Sequence, residues 1–236
     1  MIGRLSLGAI ALLACGDGER SPGDSDAQAA LDGGLDAAAD SGEDTGVPSG
    51  CPPPPIVRPE DVPEGYLEPE ATSLYRPVDG DTAHFEVDGD HPAIRFLYVN
   101  TEESGGDEAT DFGVATKEMV ANQLEDASEI VLAVREDGGQ PGSPDLDPYD
   151  RWLSLVFVDG ELFQTEIVRS GMSAYYTMFG CAPEPVHSSL LWAEAEARAN
   201  RRGIWEPGHP TDYEEVLDDW IRGSCRPNPF EEPYCP

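Results

Sequence analysis

Leu74-Tyr75-Arg76-Pro77-Val78-Asp79-Gly80-Asp81-Thr82-Ala83-His84-Phe85-Glu86-Val87-Asp88-Gly89, continued by Ala93-Ile94-Arg95-Phe96-Leu97-Tyr98-Val99, is the stretch on which the fold turns. It holds three short apolar or alternating runs, Leu74 to Val78, Thr82 to Val87 and Ala93 to Val99. Asp79-Gly80 and Asp88-Gly89 part them, and such pairs tolerate the positive φ of tight hairpin turns. The stretch therefore reads as a three-strand meander. Downstream, Phe112, Ala115, Met119 and Gln123 fall at helical spacing in a segment ending near Asp126. Glu129 to Arg135 and Trp152 to Val158 read as two more strands around a Gly, Pro and Asp loop from Asp137 to Asp147. Leu162 to Ser170 reads as a short helix, and Val186 to Arg202 as a longer one that Gly203 caps. Five short strands with a helix between the third and fourth predict an α+β fold. Its core is a five-stranded Greek-key barrel of OB type, another small α+β domain being the alternative on pattern alone.

Outward from this core the texture changes. Arg4 precedes an apolar run from Leu5 to Leu13, too short to span a bilayer and right for a signal peptide over residues 1–14. Leu12-Leu13-Ala14-Cys15 resembles a lipobox, which implies cleavage before Cys15, its acylation, and a durable lipid anchor on the cell envelope. The residue after Cys15 is Gly16 rather than Asp, which favours the outer membrane. Residues 15–70 read as a tether, since Gly16 to about Gly50 is Asp, Ala, Gly and Ser with too little apolar surface to offset the entropy of ordering. Cys51 and Pro52 to Pro55 follow as a stiff lead-in. The domain is expected over residues 71–206. A C-terminal helix from Thr211 to Arg222 and a Pro-rich tail then occupy residues 207–236. Without Cys15, Cys51, Cys181, Cys225 and Cys235 form an even set in an exported chain, so two disulfides are expected, in any of three pairings.

The chain carries 47 acids against 14 Lys and Arg, a formal charge of -33. From Ala71 onward 33 acids still face 11 basic residues, with Lys117 the only lysine. Such a surface repels polyphosphate and argues against an ordinary nucleic-acid binder, whose affinity rests on Lys and Arg displacing counterions. His84, His91, His187 and His209 have no Ser or Cys nucleophile pattern around them, and there is no Gly-rich phosphate loop.

The motifs point elsewhere. Val78-Asp79-Gly80-Asp81-Thr82, then Ile94-Arg95-Phe96-Leu97-Tyr98-Val99-Asn100-Thr101-Glu102-Glu103, then Asp147-Pro148-Tyr149-Asp150-Arg151 ahead of a strand, resemble the staphylococcal nuclease (thermonuclease) family in order and spacing. So do Val168-Arg169-Ser170-Gly171-Met172 and Arg202-Gly203-Ile204-Trp205. The resemblance covers roughly Ala71 to Trp205 and implies calcium-dependent hydrolysis of phosphodiester bonds in DNA and RNA, leaving 3′-phosphates. It gives Glu103 the role of activating water. Arg95 and Arg151 grip the phosphate through their planar forks. Asp81, Asn100 and Thr101 hold calcium, and Tyr149 contacts substrate. Tyr175 and Tyr176 suit either base stacking or core packing. A structural ion pair between Arg95 and Glu103 is the alternative to phosphate binding.

Three departures from the family pattern bear on activity. Asn100 replaces a calcium-binding aspartate and removes one negative charge from the site, lowering calcium affinity. Glu102 replaces the proline usual before the catalytic glutamate. Asp150 replaces a glycine and adds an acid beside Arg151. The expectation is thus a monomeric, membrane-tethered nuclease acting on DNA or RNA. Against it stands a non-catalytic OB module of the envelope, which the acidity and Asn100 favour.

Overall fold

The computed structural model describes residues 55–211 and 213. Seven strands form one mixed sheet: β1 (Glu70–Thr72), β2 (Leu74–Asp79), β3 (Thr82–Phe85), β4 (Ala93–Phe96), β5 (Ile130–Val134), β6 (Trp152–Val158) and β7 (Glu161–Leu162). The strand order is β1-β5-β6-β4-β3-β2, with β7 paired to β6. β4 runs parallel to β6, and every other pair is antiparallel. β1 and β2 are one chain segment bent at Ser73, and they occupy the two ends of the strand order. A sheet whose two ends are continuous in the chain has to curl on itself, which is how an OB-type barrel forms. Phe85, Ile94, Phe96, Leu132, Leu155 and Phe157 fill its interior.

The five expected strands are β2 to β6, and the sequence reading missed the two short ones. β1 has only three residues, and β7 two. The third strand stops at Phe96 rather than Val99, because Tyr98 takes φ 66° and turns the chain. The Asp88-Gly89 turn has positive φ at both residues, as expected, whereas Asp79-Gly80 does not. Gly80 is needed for space instead: a Cβ there would lie 2.6 Å from Thr116 Cγ2 and 2.8 Å from Thr101 Oγ1. The loop after β4 and the first helix therefore close directly over the β2–β3 turn.

That helix, α1 (Asp111–Asp126), is capped by Thr110, whose Oγ1 accepts the Gly113 N–H at 2.8 Å. It buries Gly113, Thr116, Val120 and Leu124, one residue round from the face read in the sequence, and Ala115 is exposed. Phe112 packs instead on a second small cluster with Ile204, Trp205 and Tyr213. Two further helices, α2 (Phe163–Arg169) and α3 (Val186–Ala199), pack together through a hydrogen bond between Thr165 and Ser189 hydroxyls.

The packed chain begins well before Ala71. Val57 is buried in the core and its carbonyl accepts the Leu162 N–H at 3.0 Å, while Leu67 N–H donates to Val134 O at 2.8 Å. Residues 55–70 are thus part of the domain and not of the tether, because Val57, Val62, Tyr66 and Leu67 supply apolar side chains in a segment whose prolines mask it. Cys15, Cys51, Cys225, Cys235, the signal peptide and most of the expected helix from Thr211 to Arg222 lie outside the described residues. Cys181 lies within them and is disulfide-bonded. No helix among the described residues is long and apolar enough to cross a membrane.

Candidate active site

Asp81 leaves the β2–β3 turn and points inward, buried, with each oxygen occupied. Its Oδ1 accepts Thr82 Oγ1–H at 2.9 Å, and its Oδ2 accepts Thr101 N–H at 3.0 Å and Thr101 Oγ1–H at 3.3 Å. The Arg95 guanidinium completes the set, its Nη2 lying 3.2 Å from the same Oδ2. Register explains the meeting, since Thr82 stands directly opposite Arg95 across the β3–β4 pair. The early end of β4 then folds the chain back over the arginine. Nη1 donates to the carbonyls of Phe96 at 2.9 Å and Val99 at 2.8 Å, and Nη2 to Asn100 Oδ1 at 2.8 Å.

Arg151 reaches the same place from another loop. Asp147 organises that loop, its Oδ1 accepting the N–H groups of Tyr149 and Arg151 at 2.8 and 3.0 Å. Its Oδ2 accepts Arg151 Nε–H at 2.6 Å and lies 2.5 Å from Nη2. Burial alone would raise the proton affinity of Asp147, but the Arg151 guanidinium and these backbone donors hold it below the usual carboxylate range. The remaining arm, Nη1, donates to Thr82 Oγ1 at 3.3 Å. Thr82 therefore links Arg151 to Asp81, and Asp81 links on to Arg95. Tyr149 is 79% exposed, with the Arg151 guanidinium carbon 5.4 Å from its ring centroid.

Glu103, on the loop after β4, lies within electrostatic range of Asp81. Partial burial, a hydrogen bond with Asp79, and the charges of Asp79, Asp81 and Glu108 push its proton affinity up. Asp79 and Glu103 are thus neighbouring carboxyls. Two carboxylates in one place repel, and that excess of negative charge is what a hard cation would relieve. The donors nearby are all oxygens: the carboxylates of Asp79, Asp81 and Glu103, the Asn100 amide, and the backbone around Thr101. They suit calcium in kind, with less charge than an aspartate at Asn100 would give. Among the described residues no group of three or more His, Cys, Asp or Glu side chains is arranged as a metal site.

Four points read from the sequence take definite form here. Arg95 is paired with Asp81, not with Glu103, because the register sets Arg95 opposite Thr82, the residue next to Asp81. Asn100 Oδ1 is taken by Arg95. Asp150 is exposed at φ 61°, so the family's glycine answers to backbone conformation, and Asp147 rather than Asp150 is the acid paired with Arg151. Tyr175 is wholly buried, with its hydroxyl 2.9 Å from His187 Nδ1, whereas half-buried Tyr176 lies within electrostatic range of Arg95 and Asp81. Thr82 and Asp79 belong to the site although the sequence reading gave them no role. The only signal was their place beside Asp81.

Glu102 is the second surprise. Its carboxylate turns away from Glu103 into a buried corner, where Oε2 accepts Thr110 Oγ1–H at 2.5 Å. Oε1 accepts Thr211 Oγ1–H and Tyr213 O–H, both at 2.9 Å, with His209 Nε2 3.7 Å away. Burial opposes its ionisation, but the Thr110, Thr211 and Tyr213 hydroxyls and nearby His209 outweigh burial and hold it below the ordinary range.

Residues 93–207 match the family described as staphylococcal nuclease homologue. An uncharacterized protein of Methanocaldococcus jannaschii is 27% identical over 150 residues, an alignment covering 54% of this chain and 68% of that protein. An uncharacterized protein of Bacillus anthracis is 28% identical over 153 residues, covering 61% of this chain and 68% of that protein.

Proposed function

The chain carries a domain of the staphylococcal nuclease homologue family at residues 93–207, and on that premise we propose that it hydrolyses phosphodiester bonds of DNA or RNA in a calcium-dependent reaction. The observation that supports this most is the meeting of two guanidinium groups, one from β4 and one from the loop before β6, around Thr82 and Asp81, with the Glu103 carboxyl within electrostatic range of Asp81. A guanidinium has five N–H donors, more than the acceptors that Arg95 and Arg151 each meet among the described residues. The spare donors bind the phosphate and offset charge growing on its equatorial oxygens. Glu103 takes the proton from the attacking water as the new P–O bond forms and the 5′ oxygen leaves with the electron pair of the old one. Asp81, the Asn100 amide oxygen and the Thr101 backbone would hold the calcium ion, which when bound adds positive charge beside the phosphate. Tyr149, exposed beside Arg151, contacts the substrate. An anchor through acylated Cys15 would keep this monomeric domain at the envelope surface, with the outer membrane favoured.

A non-catalytic OB module is the second reading, supported by the engagement of both Asp81 and Asn100 with Arg95. The test is turnover of single-stranded DNA and of RNA by the full chain at low salt, with calcium and then with chelator. Glu103→Gln is expected to lower kcat by about 10²- to 10⁴-fold. A wild-type chain that leaves both substrates intact, or a variant as fast as wild type, removes the hydrolytic reading and leaves the binding module.

A further inference from the structure

Glu102 and Glu103 are neighbours whose carboxylates do opposite things. Glu103 is exposed and lies beside Asp79, within electrostatic range of Asp81, while the Glu102 side chain is only 9% exposed and accepts three hydroxyl hydrogen bonds. Two of its three donors, Thr211 and Tyr213, lie beyond residue 207, where the family match ends. The third, Thr110, caps α1.

The backbone of this loop is pressed from the helix side as well. Thr110 N–H donates to Glu103 O at 3.0 Å, and a Cβ on Gly113 would sit 2.1 Å from Glu103 O and 2.7 Å from Glu102 O. The peptide carrying Glu103 thus rests directly on the first turn of α1. That support sits on one side only. On the other, the Glu102 carboxylate ties the loop to His209, Thr211 and Tyr213. These form their own small apolar contact: the His209 ring packs edge-on against Phe112 at 4.8 Å and against Tyr213 at 5.3 Å, and Tyr213 is buried with Ala174 and Ile204.

We propose that Glu102 is a positioning residue for Glu103, clamping its loop between the α1 N-terminus and a C-terminal strap formed by His209, Thr211 and Tyr213. The inference rests on Glu103 being the base of the proposed reaction. A buried carboxylate that accepts three hydroxyl hydrogen bonds fixes this loop through tertiary contacts, so the segment after residue 207 becomes part of the catalytic architecture. Consecutive Cα atoms are about 3.8 Å apart, so movement of Glu102 carries Glu103 with it. A displacement near 1 Å in a reacting group costs up to about 100-fold in rate.

The test uses the full chain with Thr211→Val and Tyr213→Phe combined, which removes two donors and leaves both glutamates intact, and in parallel Glu102→Gln. Turnover of single-stranded DNA with calcium and amide hydrogen exchange of residues 101–104 are both measured. Both variants are expected to lose about 10- to 100-fold in kcat with KM within about twofold. Exchange across 101–104 is expected to speed up at least about tenfold while that of β5 and β6 stays as in wild type. In a Glu103→Gln background the strap substitutions should cost nothing further in kcat. Unchanged exchange at 101–104 in the strap variant overturns the clamp. So does a loss of kcat equally large with and without Glu103. If the wild-type chain cleaves nothing, the nuclease reading fails by itself, and the exchange measurement still decides whether the strap holds the loop.

Discussion

Asp147 shows how much one side chain can organise. Its two oxygens take two backbone N–H groups and two arms of Arg151, so the arginine is aimed before any phosphate arrives. Because the folded state depresses its proton affinity, Asp147 contributes stability that is complete above the unfolded carboxyl value of about 3.9. That contribution is lost as pH falls through the lower folded value. Thermal unfolding of wild type and Asp147→Asn from pH 7 to pH 2 should therefore show wild type higher by about 1–3 °C near neutrality. The two curves should converge in acid, and a constant offset down to pH 2 would contradict the assignment. The motif containing Arg151 was legible in sequence, but its partner was not. Asp150 adjoins Arg151 in the chain and Asp147 stands four residues before it, yet Asp150, at positive φ, is exposed and the more distant acid makes the pair.

The Glu103 loop is placed by an element, α1, rather than by its own sequence. Thr110 caps the helix and donates to Glu102, and Gly113 has no side chain because the Glu102–Glu103 peptide occupies the space. Gly113→Ala brings in a better helix former but drives a methyl into that peptide. It is expected to cost about 1–3 kcal/mol, a fall in Tm of about 2–4 °C for each kcal/mol in a chain of this size. Activity should fall with it because the Glu103 carbonyl is the atom displaced. A variant melting and cleaving like wild type would show that the loop yields freely. Periodicity gave the helix and its end at Asp126 correctly but placed the buried face one residue off. Phe112 looks like a core residue and is one, of a different core: it packs under the C-terminal strap. A hydrophobic pattern counts apolar residues, and it cannot register a glycine or threonine that is buried because another segment lies on top.

At the scale of the molecule the acidic balance and the proposed nuclease reaction stand in tension. Residues from Ala71 onward carry a threefold excess of acids, which weakens the long-range attraction that usually draws nucleic acid to a protein. Within the site that field is answered locally by Arg95 and Arg151, each already paired with an aspartate. An anchor at Cys15 would hold the domain at a surface regardless of its charge. The Cys15→Ser chain, expressed in a bacterial host that processes lipoproteins, should move from the membrane fraction to the soluble one with its hydrolytic rate unchanged. Equal membrane recovery of both chains would dismiss the anchor. By itself the sequence determined the barrel class, four of the five longer strands with accurate ends or nearly so, the helices α1 to α3, and the family resemblance. These depend on local alternation, turn residues and motif spacing, which are properties of neighbouring residues. Only the tertiary structure decided that residues 55–70 belong to the fold, that Arg95 pairs with Asp81, that Thr82 joins the two arginines, and that Glu102 holds a segment more than a hundred residues away. Each of these is a contact between chain segments remote in sequence, set by strand register and close packing, and no spacing along the chain encodes it.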